Sequence, residues 1–234
     1  MSRDRREQAY PSILDGLCVR FRHLETLRSE YAAKQDLVAE RLAEFRRVGS
    51  LGDERLFEEM CFCILAVQSK ARTADAAVRD LSKAGLLWSG RAPRLAAFLR
   101  HRTRFHNHKA AYIVGARERF FPEGGPCLSE SLQEQRDPKV ARAWLVGEVD
   151  GLGWKEGSHF LRNVGRGDGL AILDRHILRN LVRHGVIPAM PDSLTGPRYH
   201  AIEERMNRFS STVQIPMAAL DLLFWSRETG EIFK

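Results

Sequence analysis

The sequence predicts an almost entirely helical fold. Apolar residues recur at spacings of three and four residues along most of the chain, which is the period of an amphipathic helix. The long alternating runs of Val, Ile and Thr that indicate a sheet are missing. With 234 residues, of which 44% are hydrophobic, the chain is long enough for one large domain or for two small lobes that share a cleft.

Ten helices are predicted, with breakers rich in glycine and proline between them, the clearest at residues 49–52, 122–126 and 185–191. Because no internal repeat or low-complexity linker divides the chain, residues 1–234 are expected to form a single unit of two helical lobes. The predicted helices cover residues 10–28, 35–47, 53–69, 72–85, 105–120, 137–149, 155–164, 175–184, 194–209 and 216–228.

Positive charge is concentrated in one part of the chain. The formal net charge is +7, and residues 91–119 alone hold eight Lys and Arg against one Glu, which leaves the rest about neutral. This clustering favours a polyanion such as nucleic acid as partner, and a merely solvated helix face is the alternative.

Cysteine usage and hydropathy indicate an intracellular, cytoplasmic protein. The N-terminus is polar where a secretory signal is apolar, and no segment offers 18 uncharged apolar residues, so no membrane partner is expected. The four cysteines, Cys18, Cys61, Cys63 and Cys127, lack the paired spacing of a metal site and the density of a disulfide framework.

The most informative segment, residues 144–185, has the pattern helix, tight turn, helix, loop, helix. Gly151 and Gly153 flank Leu152 in the turn, where glycine is able to take positive φ and to let a phosphate approach the backbone N–H groups. A helix N-terminus follows at once and favours an anion. The segment therefore predicts a hairpin that grips a nucleic acid backbone, although an ordinary turn between two helices has the same G-x-G pattern.

Two residues of this segment are candidates for chemistry. Lys155 lies in the first helical turn after the hairpin, where the helix dipole and partial desolvation favour a neutral, nucleophilic amine; a solvated or phosphate-binding lysine is the alternative. Asp174 comes before the periodic run that starts at His176, which predicts a helix N-cap. A capping carboxylate is also held rigidly enough to stabilise cationic charge on a sugar.

Together, the hairpin, Lys155, the glycine-rich loop and Asp174 19 positions later resemble the signature of the helix-hairpin-helix DNA glycosylase superfamily. The resemblance covers about residue 55 to the C-terminus and implies two helical lobes with a DNA-binding cleft.

Residues 62–78 resemble the helix, loop and helix that push a polar side chain, here Gln68, into the gap left by an extruded base. Residues 104–113 resemble a second, basic superfamily stretch. The implied DNA-binding residues are Gln68, Lys70, Arg104, Lys109, Gly151 and Gly153.

The ending DLLFWSRETGEIFK is similar to the archaeal-type, second family of 8-oxoguanine DNA glycosylases, whose chains stop on a lysine close to the base pocket. That lysine is Lys234 here, and the pocket tryptophan nine residues upstream is Trp225. His159 stands where some superfamily members place a cysteine against the base. Asp221 is a candidate acceptor for the N7 hydrogen that distinguishes 8-oxoguanine from guanine, as are backbone carbonyls and the C-terminal carboxylate.

The resemblance implies a DNA glycosylase and AP lyase that acts, as a monomer near the nucleoid, on double-stranded DNA containing 8-oxoguanine or abasic sites. Lys155 attacks the sugar, a Schiff base forms and β-elimination follows, with no metal or organic cofactor. An iron–sulfur cluster is not expected, because no cysteine follows Cys127.

Three alternatives remain at this stage. The first is a non-catalytic helix-hairpin-helix DNA-binding protein, and the second is a glycosylase for a different damaged base. The third, a metal-dependent hydrolase built on His101, His106 and His108, has poor support because the H-x-H pair splits around a helix and no carboxylate cluster accompanies it.

Overall fold

The structure, a computed structural model, describes residues 11–14 and 17–234, with side chains from Phe21 onward. Within these residues it contains twelve helices and one small antiparallel sheet of two strands, so the predicted all-helical class is confirmed. The elements are β1 (Pro11–Leu14), β2 (Leu17–Arg20), α1 (Leu24–Val48), α2 (Asp53–Ala66), α3 (Ala71–Lys83), α4 (Leu86–Ser89), α5 (Ala92–Leu99), α6 (His106–Phe120), α7 (Leu128–Glu134), α8 (Pro138–Glu148), α9 (Trp154–Asn163), α10 (Arg175–Arg183), α11 (Gly196–Val213) and α12 (Met217–Thr229).

The helix predicted over residues 10–28 is wrong. Strands β1 and β2 pair there, with Pro11 opposite Arg20 and Leu14 opposite Leu17. The sequence carries Asp-Gly between these two apolar stretches, a strong hairpin signal that the helical interpretation overlooked. Helix α1 begins only at Leu24 and continues through the gap that was predicted before residue 35.

Three short helices were absent from the sequence prediction. Helices α4, α5 and α7 contain 4, 8 and 7 residues, respectively. One or two turns offer too few apolar positions for a helical period to be recognised. The other predicted helices have counterparts in the structure whose ends differ by a few residues.

The chain folds into two compact units. Of the described residues, the first unit takes those up to Arg41 together with Ala171–Phe233. Its helices α10 and α11 pack against α12. Aromatic rings fill its core: Phe21 meets Phe209 edge-on at 5.0 Å between ring centroids, and His184 stacks on Phe224 at 5.5 Å.

A buried polar network lies in this first unit. The guanidinium of Arg227 donates to Glu30 at 2.6 Å, to Oδ1 of Asn180 at 2.8 Å and to Nε2 of His184 at 2.9 Å. Because a guanidinium only donates, Nε2 of His184 accepts, and its Nδ1 carries the hydrogen that is donated to the carbonyl of Arg22 at 2.8 Å. Burial lowers the pKa of His184 to about 4, so the imidazole is neutral.

The second unit comprises Leu42–Leu170 together with Lys234. Helix α2 is central, with every residue from Met60 to Leu65 buried, and it packs against α3, α6, α7 and α9. Helix α9 is itself buried from Gly157 to Asn163, while its first three residues are only partly buried. This burial fixes α9 and thereby the position of the residues at its N-terminus.

Candidate active site

Helices α8 and α9 and the turn between them form the predicted helical hairpin. Gly151 in the turn has φ +85°, and a Cβ there would lie 2.4 Å from the ring of Tyr112, so both conformation and space require glycine. Gly153 differs from the prediction, since its φ of −89° is ordinary extended backbone. It occupies the N-cap position, ahead of the first N–H groups of α9, which have no partner inside the helix.

Lys155 is the second residue of α9, as predicted, and its side chain is partly buried. The side chain is 30% exposed, and Nζ lies 3.2 Å from Oε1 of Glu156, which is 15% exposed. The amine therefore stands at the positive end of a helix next to a carboxylate. Such a carboxylate is placed to orient the amine or to take a proton from it.

Asp174 caps helix α10, which confirms the predicted N-cap. Its backbone is extended, and its Oδ1 accepts the N–H of Ile177 at 2.8 Å. The bond to Ile177 restricts the rotation of the side chain. Asp174 belongs to the first unit and Lys155 to the second.

The turn between α2 and α3 carries Gln68 and Lys70. Gln68 is exposed and has φ +51°, an uncommon conformation for a residue other than glycine. Lys70 is exposed at the N-cap of α3. Arg104, at the start of the second predicted DNA-binding stretch, is also exposed, and its guanidinium lies 5.6 Å from the ring centroid of Phe105. These three predicted DNA-binding side chains are accessible to a ligand.

Lys109, also a predicted DNA-binding residue, is buried. The residue is only 3% exposed, and its ammonium donates to carbonyl and hydroxyl oxygens inside the second unit. Burial, followed by the positive charge of Lys155, lowers the pKa of Lys109 to about 8. The hydrogens of this ammonium point into the unit, so a direct contact of Lys109 with the phosphate backbone stays a prediction.

A pocket of about 290 Å³ lies in the second unit between the hairpin turn, the Gln68 turn and the start of α6. Its walls are mostly apolar and aromatic. It is lined by Ile64, Val67, Phe105, His108, Lys109, Tyr112 and Gly151. The hairpin and the two predicted DNA-contacting stretches therefore meet at one place on this unit.

Lys234, a predicted base-pocket residue, is held in the second unit by two carboxylates. Its Nζ lies 2.8 Å from Oε1 of Glu59 and 2.8 Å from Oδ1 of Asp75. The ammonium also sits 4.8 Å from the ring centroid of Phe62. These contacts fix the lysine side chain, which is 13% exposed.

His159, another predicted base-pocket residue, packs on the same aromatic ring. Its ring meets that of Phe62 edge-on at 5.5 Å between centroids. Burial, and then nearby cations with Arg162 foremost, hold the pKa of His159 well below its usual value, so the imidazole is neutral. Its Nε2 is buried and has no hydrogen-bond partner. A buried ring nitrogen without a protein partner is able to bond to a water or to a group of a ligand.

Asp221 and Trp225, the remaining predicted base-pocket residues, lie on α12 in the first unit. Asp221 is buried at 5% exposure, and Trp225 is partly buried. The indole ring meets His176 edge-on at 6.4 Å between centroids. The four predicted base-pocket residues are thus divided equally between the two units.

Comparisons with known proteins agree on one family. A family model described as 8-oxoguanine DNA glycosylase matches residues 38–215. The chain is 43% identical over 196 residues to the 8-oxoguanine DNA glycosylase/AP lyase of Fusobacterium nucleatum, a match that covers 83% of this chain and 90% of the relative. The chain belongs to the 8-oxoguanine DNA glycosylase family. The family resemblance inferred from the sequence is thereby confirmed.

Solved structures of 8-oxoguanine DNA glycosylases have the same fold. The crystal structure of the Methanocaldococcus jannaschii 8-oxoguanine DNA glycosylase matches with a TM-score of 0.81 at 31% identity and covers 90% of this chain and 95% of that one. The M. jannaschii glycosylase/lyase in complex with a 15mer DNA containing 8-oxoguanine matches with a TM-score of 0.79 at 30% identity, over 89% of this chain and 100% of that one.

Sequence analysis missed three residues at the candidate site of this glycosylase: Glu59, Phe62 and Glu156. Glu156 is adjacent to Lys155, but pairing between neighbours on a helix is not indicated by spacing. The position of Glu59 could have been recognised from the sequence. It directly precedes the apolar run from Met60 to Leu65, and an acidic side chain buried with such a run is expected to need a positively charged or hydrogen-bonding partner.

Neither a metal site nor a membrane-spanning helix is found in the described part of this glycosylase. No group of three or more His, Cys, Asp or Glu side chains in the part of the chain that the structure describes is placed to hold a metal ion, and His101, His106 and His108 form no such group. No helix of that same part is long and apolar enough to cross a membrane.

Proposed function

We propose that this protein excises 8-oxoguanine from double-stranded DNA and then cleaves the strand at the resulting abasic site, in base excision repair. The observation that carries the proposal is the place of Lys155, one residue into α9 behind the helical hairpin, with its amine partly exposed and 3.2 Å from Glu156. Family membership supports the same activity.

The hairpin grips the DNA backbone without reading its sequence. The N–H groups that open α9 face outward from the helix end, and the positive φ of Gly151 allows the tight turn that places them there. Gln68, Lys70 and Arg104 add exposed polar and positive groups on the same unit. Backbone contacts of this kind set the register of the enzyme on the duplex, whereas selection of the lesion requires the extruded base.

Catalysis begins with attack of the neutral amine of Lys155 on C1′ of the damaged nucleotide. The bond between C1′ and the base breaks as the new C–N bond forms, and the base departs with the bonding electrons and receives, by way of a carboxylate, the proton that the amine loses. Asp174, held in place by the hydrogen bond that it accepts from the N–H of Ile177, stabilises the oxocarbenium-like charge on the sugar. Glu156 or Asp174 receives the proton that the amine loses.

Strand cleavage follows from the covalent intermediate. The sugar ring first opens: the C1′–O4′ bond breaks, the remaining N–H proton passes to O4′, and a Schiff base forms between Lys155 and C1′. The Schiff base makes the C2′ hydrogen acidic, and loss of that proton expels the 3′ phosphate by β-elimination. Water then hydrolyses the Schiff base and regenerates the amine. The protein residues supply all of the groups that these steps require, so the proposed reaction uses no cofactor.

Recognition of the base uses His159, Asp221, Trp225 and Lys234. The unpartnered Nε2 of His159 and the buried carboxylate of Asp221 offer hydrogen-bonding groups, and the indole of Trp225 offers a stacking surface. 8-Oxoguanine carries a donor at N7 where guanine carries an acceptor, and an oxygen acceptor that meets this hydrogen discriminates between the two. The protein acts as a monomer on chromosomal DNA inside the cell.

The decisive experiment is borohydride trapping with a panel of duplexes that carry 8-oxoguanine, other oxidised bases, an abasic site or no lesion. We expect a covalent complex with the 8-oxoguanine and abasic duplexes, and none with the Lys155→Gln variant. Trapping with a different damaged base alone would assign a different glycosylase substrate. Binding without trapping on every duplex would identify a non-catalytic DNA-binding protein.

A further inference from the structure

Lys109 connects its own helix to the end of α2. Its Nζ lies 2.9 Å from the carbonyl of Leu65 and 2.6 Å from that of Val67. These carbonyls lie where α2 ends, so they have no partner within the helix and carry the negative end of its dipole. The buried ammonium therefore fixes the point at which the chain leaves α2 and enters the Gln68 turn.

The same ammonium holds a second turn. Its Nζ lies 2.6 Å from Oγ1 of Thr103, and that hydroxyl is 2.7 Å from Oγ of Ser69. Ser69 follows Gln68 in one turn, and Thr103 lies two residues before Phe105 in the other. One cation thus joins the turn that carries Gln68 to the turn that carries Phe105.

Both turns contain an exposed side chain on strained backbone. Gln68 has φ +51° and Phe105 has φ +56°, and Phe105 is 50% exposed. A residue other than glycine is strained in this left-handed region, so the surroundings must hold it there. The contacts of Lys109, together with the bond between the hydroxyls of Ser69 and Thr103, connect the two turns, and both turns line the pocket next to Gly151.

We propose that Lys109 is a positioning residue for base extrusion, whose buried ammonium holds the Gln68 and Phe105 turns in one fixed geometry against the DNA duplex. The inference rests on the proposed glycosylase function. Extrusion of a paired base is unfavourable because pairing and stacking are lost. Rigid side chains that occupy the gap offset this cost, whereas turns free to move would first lose conformational entropy. Because the hydrogens of its ammonium are bonded to oxygens of these turns, Lys109 acts through the turns and not on the reacting atoms.

The test compares two substrates under single-turnover conditions: a duplex with 8-oxoguanine opposite cytosine, and a duplex with a preformed abasic site. The Lys109→Met variant keeps the apolar stem and loses the ammonium. We expect its excision rate to fall by at least about tenfold, because misplacement of positioning groups has effects of this size or larger. β-Elimination at the abasic site, which has no base to extrude, should change by less than about threefold by the same reasoning.

Two further measurements separate positioning from general stability. A 2-aminopurine next to the lesion should show a smaller fluorescence rise on binding of Lys109→Met than on binding of the wild type, because the neighbouring stack stays closed. Lys109→Arg restores a cation at the same place and should recover part of the excision rate. Lys83→Met is the matched control: an exposed lysine at the end of α3, whose loss should alter neither activity.

Each possible result either supports or overturns the positioning role of Lys109. Equal loss of both activities, or loss of neither, would overturn the positioning role while the wild type still excises 8-oxoguanine. Absence of excision by the wild type itself would overturn the proposed function, and the inference with it. If Lys109→Met fails to fold, Thr103→Val removes the bridging hydroxyl at nearly constant shape and should show the same asymmetry more weakly. A Thr103→Val variant without that asymmetry would also overturn the inference.

Discussion

The ammonium of Lys234 lies 2.8 Å from Oε1 of Glu59, a carboxylate that is 1% exposed. The same carboxylate also accepts from Arg55 at 2.5 Å and from Asn163 at 3.1 Å. Glu59 therefore remains partnered when Lys234 is altered. This arrangement allows the role of the lysine in base selection to be tested without leaving a buried charge alone.

We expect Lys234→Met to weaken excision of 8-oxoguanine while sparing cleavage at preformed abasic sites, because those sites have no base to recognise. Trp225→Ala should show the same asymmetry through lost stacking, typically about 1 to 3 kcal/mol per base. Single-turnover rates on matched duplexes measure both activities. Equal loss would indicate a damaged fold, and no loss would place both residues outside the site.

Lys155→Gln should abolish both base release and strand cleavage while DNA affinity stays within about threefold of the wild type, because the variant loses the nucleophile and keeps the hairpin. Gel-based excision and fluorescence anisotropy give the two quantities. Lys139→Gln, at an exposed position on α8, serves as the control. Undiminished lyase activity in Lys155→Gln would refute the assignment of the nucleophile.

Asp174→Asn separates the two roles of this carboxylate. Asn is as good an N-cap as Asp, so the melting temperature should hardly change, whereas loss of the negative charge should slow excision by about 100-fold or more. Asp174→Ala removes the cap as well and should destabilise the protein by about 1 kcal/mol. A full excision rate in Asp174→Asn would leave the residue with its capping role alone.

The salt dependence of DNA binding should be moderate. Four of the eight cations in residues 91–119 are already engaged: Arg119 pairs with Glu148, Arg117 donates to two carbonyls, Arg102 donates to the carbonyl of Phe98, and Lys109 is buried. With three or four phosphate contacts, affinity should fall roughly 40- to 150-fold between about 50 and 200 mM salt, whereas eight contacts would give about 10⁴-fold.

A pair of variants locates those contacts. Arg104→Gln, at an exposed cation, should reduce the slope of log affinity against log salt by about 1. Arg119→Gln removes a charge already paired with Glu148 and should leave the slope nearly unchanged. A slope that does not respond to either variant would place this basic segment away from the DNA.

Acid should destabilise the protein through His184. Its folded pKa is about 4, whereas the unfolded imidazole takes a proton near pH 6.5. The unfolded state therefore binds more protons between these values, and the free energy of unfolding should fall by on the order of 2 to 3 kcal/mol as pH drops from 6.5 to 4. Urea titrations should show a flatter pH dependence for His184→Gln than for the exposed control His101→Gln. Equal slopes would contradict a neutral, buried His184.

The sequence was most informative where a function depends on local geometry. The Gly151 turn, the place of Lys155 in the first turn of α9 and the cap of Asp174 each follow from residues close together in the chain. The contact of Lys234 with Glu59 joins residues 175 positions apart, which no local pattern reveals. The burial of Lys109 was missed for the same reason, because inward and outward lysines look alike in a basic stretch.

The division of the chain has a consequence for synthesis on the ribosome. Apart from Lys234, the second unit is one continuous stretch, Leu42–Leu170, whereas the first unit joins the N-terminal part of the chain to Ala171–Phe233. Domains generally fold as they emerge, and long-range contacts form late. The unit that carries Lys155 is therefore able to fold while translation continues, whereas the start of α1 must wait for the helices that complete its core.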